Sequence, residues 1–302
     1  MISTVDISQC AACGNKGGDD LKACTACKLV KYCNVTCQKA HRPRHKKQCK
    51  RRVVELFDEA LFQQPPPKED CPICFLPLPF GPEYTHYKAC CGKVLCRGCL
   101  CSCAVAAEMT NIPPRCPFCR TPTYSSNKEC IERIKKRVEA NDAEAFLMLG
   151  FFYHDGEMGF PQDLKKTIGH WLRAAELGSI NALFCLGQAY HVGDGVEIDT
   201  KKAKRYWERA AMRGNDSARH CLGVLEGKHN SSDNRAKKHF MIAARAGYDE
   251  SLKTIRDMFM AGHVTKEEYE KTLRAHKDSH NEMQSDQRDR AIDACWRDFQ
   301  NF

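Results

Sequence analysis

The chain has 302 residues, of which 42% are hydrophobic, and a formal charge of +9. That length holds two or three domains. The longest apolar run, Ala145 to Tyr153, spans nine residues where about 20 are needed to cross a bilayer, so a membrane protein is not expected. The opening MISTVDISQC has no basic region followed by an apolar run, so no secretory signal is read there and an intracellular setting, cytoplasmic or nuclear, is expected.

Seventeen of the 21 cysteines fall within residues 1–119. Cys10/Cys13, Cys24/Cys27, Cys33/Cys37, Cys71/Cys74, Cys96/Cys99 and Cys116/Cys119 form close pairs, with two or three residues between the members of each. Such spacing lets two thiolates on one tight turn reach a single tetrahedral zinc. In a reducing compartment this pattern reads as metal ligation rather than as a disulfide framework. Zinc-bound thiolates also change the charge. Two zincs on seven cysteines subtract three units and two on eight subtract four, which leaves about +2 and no strong attraction to nucleic acid.

The first module runs from residue 10 to 49 as Cys10-x2-Cys13-x10-Cys24-x2-Cys27-x5-Cys33-x3-Cys37-x7-His45-x3-Cys49. Eight ligands make two closed tetrahedral sites, and closed sites are structural. The string KLVKYCNVTCQKAHRPRHKKQC resembles a MYND zinc finger over all eight positions. The resemblance implies interleaved sites, Cys10, Cys13, Cys33 and Cys37 on one zinc and Cys24, Cys27, His45 and Cys49 on the other. It also implies binding of short peptides from partner proteins, with no chemistry. His41 is a rival to His45 at a non-ligand position, and Arg42 stands where the family usually has tryptophan. The basic run His41 to Arg52 reads as the solvated face of a helix in preference to an import signal or an acidic partner's surface.

Residues 53–70 read as a linker ending in Pro65-Pro66-Pro67, a stiff spacer. The second module, residues 71–120, contains CPIC, then CCGKVLCRGC, then CPFCR. It resembles a RING domain, which implies a cross-braced zinc fold that holds a ubiquitin-charged conjugating enzyme and favours the reactive conformer of its thioester. Catalysis there is by positioning and hydrogen bonding, without a covalent intermediate. By position, Ile73 and Pro117 are the implied apolar contacts. Arg120 falls at the cation position, where a planar fork of donors bridges ubiquitin and enzyme. Lys93 stands where most RINGs have a histidine ligand. The adjacent Cys90 and Cys91 can replace it if the backbone is locally distorted. That assigns Cys71, Cys74, Cys96 and Cys99 to one zinc and Cys90, Cys91, Cys116 and Cys119 to the other, with His86, Cys101 and Cys103 as alternative ligands. About four zincs are expected per chain. Residues 100–115 lack the tryptophan that many RINGs place against the enzyme, and Met109 is the candidate substitute.

Beyond residue 140 the chain repeats. Leu149-Gly150, Leu186-Gly187 and Leu222-Gly223 recur at spacings of 37 and 36. Ala174-Ala175, Ala210-Ala211 and Ala243-Ala244 follow, each closed by a glycine (178, 214, 247), with Trp171, Trp207 and Phe240 in one register. Each unit reads as two helices with a glycine C-cap. Residues 141–247 resemble Sel-like repeats, short relatives of tetratricopeptide repeats, which implies a stacked surface for proteins or peptides. Residues 248–278 read as a capping pair, and 279–302 as a last helix or tail. His154 and His191 open two loops in register and read as solvated.

The expected fold is therefore two small zinc-stabilised modules, MYND and RING cross-brace, followed by an all-α helical-repeat solenoid. The expected function is a RING-type ubiquitin-protein ligase whose partners are a conjugating enzyme and protein substrates; the alternative is a non-enzymatic zinc-finger adaptor.

Overall fold

A computed structural model describes residues 8–17, 20–78, 84–227, 234–286 and 288–290. Two compact units divide at residue 63/64. In the first, β1 (Lys22–Ala23) pairs antiparallel with β2 (Lys31–Tyr32), and α1 (Val35–Leu61) follows. Asn34 caps α1 by accepting from the Cys37 N–H at 2.9 Å. The buried cluster is Cys10, Leu21, Cys24, Cys27, Val30 and Tyr32, half of it sulfur. So small a core leaves most of the stability to whatever the sulfurs hold. The basic run lies on α1, with Arg42, Arg44, Lys46 and Lys47 exposed. The helix continues to Leu61, across the first half of the stretch expected as a linker. VVELFDEAL favours helix, and Arg52 ties successive turns by pairing with Glu59 at 2.6 Å and Glu55 at 3.3 Å.

In the second unit, β3 (Thr85–Lys88) and β4 (Lys93–Cys96) form a hairpin with Thr85 opposite Cys96 and Lys88 opposite Lys93. Then come α2 (Arg97–Met109), α3 (Asn127–Glu139), α4 (Ala143–Asp155), α5 (Leu164–Glu176), α6 (Ile180–Val192), α7 (Thr200–Met212), α8 (Asp216–Gly227), α9 (Asn234–Arg245), α10 (Asp249–Met260) and α11 (Lys266–Met283). No helix among the described residues is long and apolar enough to cross a membrane. Residues 291–302, expected as a helix or tail, and residues 228–233 of the third unit's loop lie outside the described residues.

The repeat signature has a direct packing cause. A Cβ on Gly150 would lie 2.4 Å from Trp171, one on Gly187 2.3 Å from Trp207, and one on Gly223 2.6 Å from Phe240. The Leu-Gly pair and the aromatic register are thus two halves of one joint, where the second helix lays its ring on the bare backbone of the first. The Ala-Ala-x-x-Gly string closes the second helix. Ser179, Asn215 and Tyr248 donate their N–H groups to the carbonyls of Ala174, Ala210 and Ala243 at 2.9–3.1 Å. Gly178, Gly214 and Gly247 take φ of 93–106° between them. At the other ends, Asp142, Asp163, Ser179 and Asp199 cap α4, α5, α6 and α7.

Successive repeats are pinned by His154, which is not simply solvated. Its Nε2 lies 2.7 Å from Asp194 Oδ2 in the next loop and its Nδ1 2.5 Å from Asp155 Oδ1. The hairpin module docks on the array's first helices. Tyr87 Oη donates to Asp142 Oδ2 at 2.8 Å, Arg137 Nε to the Ala89 carbonyl at 3.3 Å, and Arg133 Nη1 to the Pro122 carbonyl at 2.9 Å. Tyr87 and Ala89 pack on the buried Cys130, Ile134, Leu149 and Phe152.

Two outcomes test this packing. Gly187→Ala, facing Trp207, costs about 1–3 kcal/mol. Gly169→Ala, in α5 with nothing within 4 Å of its Cβ, gains about 0.5–1 kcal/mol; the two variants move the thermal midpoint in opposite directions. For His154, burial opposes the charged form, but Asp155 and Asp194 outweigh it and raise the pKa. Its contribution is complete below the unfolded value of about 6.5 and is lost as pH rises through the higher folded value. The midpoint difference between wild type and His154→Gln should shrink as the pH is raised from 6 to 9.

Candidate metal centres

Four short backbone loops present the cysteine pairs in one geometry. In each, the N–H after the second cysteine donates to the carbonyl of the first: Gly14 to Cys10, Lys28 to Cys24, Phe75 to Cys71 and Arg120 to Cys116, at 2.8–3.0 Å. Those four residues all take left-handed φ, between 57° and 77°. The N–H of the first cysteine then reaches forward to Asn15, Val30, Leu76 or Thr121 at 2.8–2.9 Å. Both sulfurs of each loop are left on one side.

These loops converge with the remaining donors into four tetrads. They are Cys10, Cys13, Cys33 and Cys37; Cys24, Cys27, His45 and Cys49; Cys71, Cys74, Cys96 and Cys99; and Cys90, Cys91, Cys116 and Cys119. Within each, all donor atoms lie within 4.8 Å of one another. The sulfur pairs Cys13–Cys33, Cys24–Cys49, Cys71–Cys99, Cys74–Cys96, Cys91–Cys116 and Cys90–Cys119 stand 3.4–3.9 Å apart. A tetrahedron with metal–sulfur bonds of about 2.3 Å has edges of about 3.8 Å, whereas a disulfide would need about 2.05 Å. The donor set and its spacing fit zinc.

Cys90 and Cys91 reach one point without a strained backbone of their own. They sit in the β3–β4 turn, where the N–H groups of Cys91 and Gly92 both donate to the Lys88 carbonyl, at 3.1 and 2.8 Å. Gly92, with φ +72°, takes the left-handed position, while neither cysteine does. His86, on β3, and Cys101 and Cys103, on α2, lie outside the tetrads. So does His41, whose ring stacks on His45 at 5.6 Å and whose Nδ1 meets Tyr32 Oη at 3.1 Å.

The electrostatics suit a divalent cation. Burial opposes ionisation of Cys10, but the N–H groups of Cys13, Cys33 and Ala12 outweigh it and bring the thiol down to about 6. Cys71 falls to about 7 and Cys119 to about 6 by the same balance, with N–H donors at Cys71 and the Thr121 hydroxyl and N–H at Cys119. Their neighbours resist a second negative charge. Hydrogen bonds to Cys13 and Cys10 push Cys33 up to about 12, and burial with Cys27 and Cys24 does the same to Cys49. A metal ion removes that conflict. Burial and then His41 hold His45 below its usual value, in the neutral form that ligates.

Ile73 and Pro117 are half-buried on their loops and Arg120 is exposed. Lys93 is exposed, with its ammonium 5.7 Å from the centre of the Phe118 ring. Besides Met109 (83% exposed), the side chains of Phe75 (76%), Tyr84 (46%), Ile112 (55%) and Phe118 (43%) in the second module face solvent.

Cysteine-rich modules of zinc-finger geometry, followed by a Sel1-like helical repeat region, define the class of this chain. A MYND finger family model matches residues 10–49, and a Sel1 repeat model matches 143–179 and 180–215; neither covers residues 71–120. Over 57 residues the chain is 40% identical to the E3 ubiquitin-protein ligase GW2 of Oryza sativa subsp. indica and, equally, of subsp. japonica. That match covers 19% of this chain and 12% of those proteins. Among solved structures the chain is similar to a Sel1 repeat protein from Oxalobacter formigenes, with 25% identity and a TM-score of 0.44, over 52% of this chain and 64% of that one. It is also similar to c5321, a protective antigen of uropathogenic Escherichia coli displaying an SLR fold. There the identity is 29% and the TM-score 0.43, over 51% of this chain and 32% of that one.

Native mass spectrometry of the purified chain should give about four zincs. Cys91→Ser should lower the count by one and leave the first module's two in place; an unchanged count would remove Cys91 from the ligands.

Proposed function

We propose that the chain is a zinc-binding RING-type ubiquitin-protein ligase. Residues 71–120 recruit a ubiquitin-conjugating enzyme, while the MYND finger and the repeat array select protein substrates. The observation that carries this reading is the second module's surface. Its two tetrads interleave along the chain, as in a cross-brace. On that frame it exposes Phe75 beside the Cys71–Cys74 loop and Phe118 within the Cys116–Cys119 loop. On this reading Phe75 and Phe118 supply the apolar part of the surface on which the partner docks. Ile73 and Pro117 lie in the same two loops, and Arg120 is exposed directly after the last donor. Among the described residues no carboxylate pairs with the Arg120 guanidinium, so its fork of donors is available to a partner. The short similarity to rice ligases supports the same assignment.

Zinc, where bound, supplies shape and no chemistry, because each tetrad is filled by protein donors. This chain's residues act by holding the conjugating enzyme, with Ile73 and Pro117 in apolar contact. Arg120 donates hydrogen bonds that favour the attacked conformer of the thioester. Lys93, covering Phe118 where a ligand histidine is usual, favours a second reading, a non-enzymatic adaptor built on the same fold.

Autoubiquitination with a panel of conjugating enzymes separates the two. Wild type should form chains with at least one enzyme, and Ile73→Ala and Arg120→Ala should each slow them on the order of tenfold, about 1.4 kcal/mol. Activity surviving both changes would refute the assigned roles, and silence with every enzyme would leave the adaptor.

A further inference from the structure

Arg288, five residues beyond the end of α11, is 4% exposed and reaches the first tetrad of the second module. Its Nη2 donates to Cys74 Sγ at 3.1 Å and to the Leu76 carbonyl at 3.1 Å. Its Nη1 donates to the carbonyls of Pro77 at 3.0 Å and Met283 at 2.5 Å. The approach is shaped for this residue. Gly98 lies between the donors Cys96 and Cys99, and a Cβ there would stand 2.8 Å from Arg288 Cα and 2.9 Å from its Cγ. Ser285 fixes the backbone from the other side by accepting from the Arg288 N–H at 3.1 Å.

The charge balance explains why a cation belongs there. Four thiolates on a divalent ion carry a net charge of about −2, and Cys71 and Cys96 are 0% and 1% exposed. The N–H of Cys96 donates to Cys71 Sγ at 3.5 Å and that of Cys99 to Cys96 Sγ at 3.4 Å, but amide dipoles bring no net charge. Among the described residues no carboxylate pairs with Arg288; the negative groups facing it are Cys74, Cys96 and Cys71. A buried guanidinium without a carboxylate would be costly unless the sulfur cluster is its counter-charge.

We infer that Arg288 is the outer-shell cation of the Cys71, Cys74, Cys96 and Cys99 site, holding its metal and tying the far end of the repeat array to it. Outer-shell partners of metal ligands are commonly worth 10–100-fold in affinity. The inference rests on the zinc reading of the tetrads and is independent of ligase activity.

The test uses the full zinc-loaded chain, titrated with a chromogenic chelator while N-ethylmaleimide labelling of each cysteine is followed by peptide mass spectrometry. In Arg288→Gln one of the four zincs should be held about 10–100-fold less tightly, with Cys71, Cys74, Cys96 and Cys99 labelled first. Arg288→Lys, which keeps the charge and loses the fork, should fall between. Gly98→Ala, which keeps the arginine and displaces it, should behave like Arg288→Gln. Wild-type retention in both Arg288→Gln and Gly98→Ala overturns the inference. Simultaneous release from all four tetrads also overturns it, because Arg288 would then act only through global stability. A wild-type chain that binds no zinc overturns the metal reading itself and this inference with it, an outcome set apart by the initial metal count.

Discussion

Residues 10–119 depend on one constraint, the convergence of four donors on a point, met four times. The apolar groups between the donors are too few to close a core, and much of what is buried there is sulfur. The loops that aim the donors are ordinary backbone. In the four tight loops one hydrogen bond closes the cysteine pair, one left-handed residue turns the chain, and a second hydrogen bond returns it. Lys28, Phe75 and Arg120 occupy the turning position although glycine is favoured there. These side chains are therefore pushed outward from the donor cluster, and Phe75 and Arg120 are prominent at the surface as a result.

The repeat half follows a different logic. Nothing converges; helix pairs stack, and the core is a row of alanines, leucines and aromatic rings. The two halves do not divide where the chemistry changes. The second cysteine module shares a compact unit with the repeats, because Tyr87, Ala89 and the β3–β4 turn are packed and hydrogen-bonded onto α3 and α4. Arg288 adds a tie from the other end of the array. The second cysteine module and the repeat array then belong to a single compact unit.

Much of this was legible in the residues. The donor spacing pointed to metal ligation because two thiolates on one turn leave few other uses, the MYND and RING resemblances implied how the pairs group into tetrads, and the Leu-Gly and Ala-Ala-x-x-Gly strings recur at nearly constant period. What stayed hidden was long-range. Residues 121–140 carry neither a close cysteine pair nor the repeat signature, yet Ser126, three residues before Glu129, is a helix-start signal and caps α3. The turn that lets adjacent Cys90 and Cys91 share a site depends on Gly92, which looked like part of a ligand string. His154 reads as solvated in sequence because its partner Asp194 lies 40 residues away. Arg288 carries no local pattern at all; only the fold brings it beside a sulfur 214 positions earlier.

The notch that receives each aromatic ring lies inside its own unit: Gly150 in α4 receives Trp171 of α5, and Gly187 in α6 receives Trp207 of α7. A unit therefore carries its lock and key together. Duplicating or deleting a whole unit leaves the ring joints inside the remaining units intact, while ties between units such as His154 to Asp194 would be lost or remade. A point change to either half of a joint disturbs its mate in the same unit, since a Cβ at Gly150 or Gly187 would press on the ring it receives.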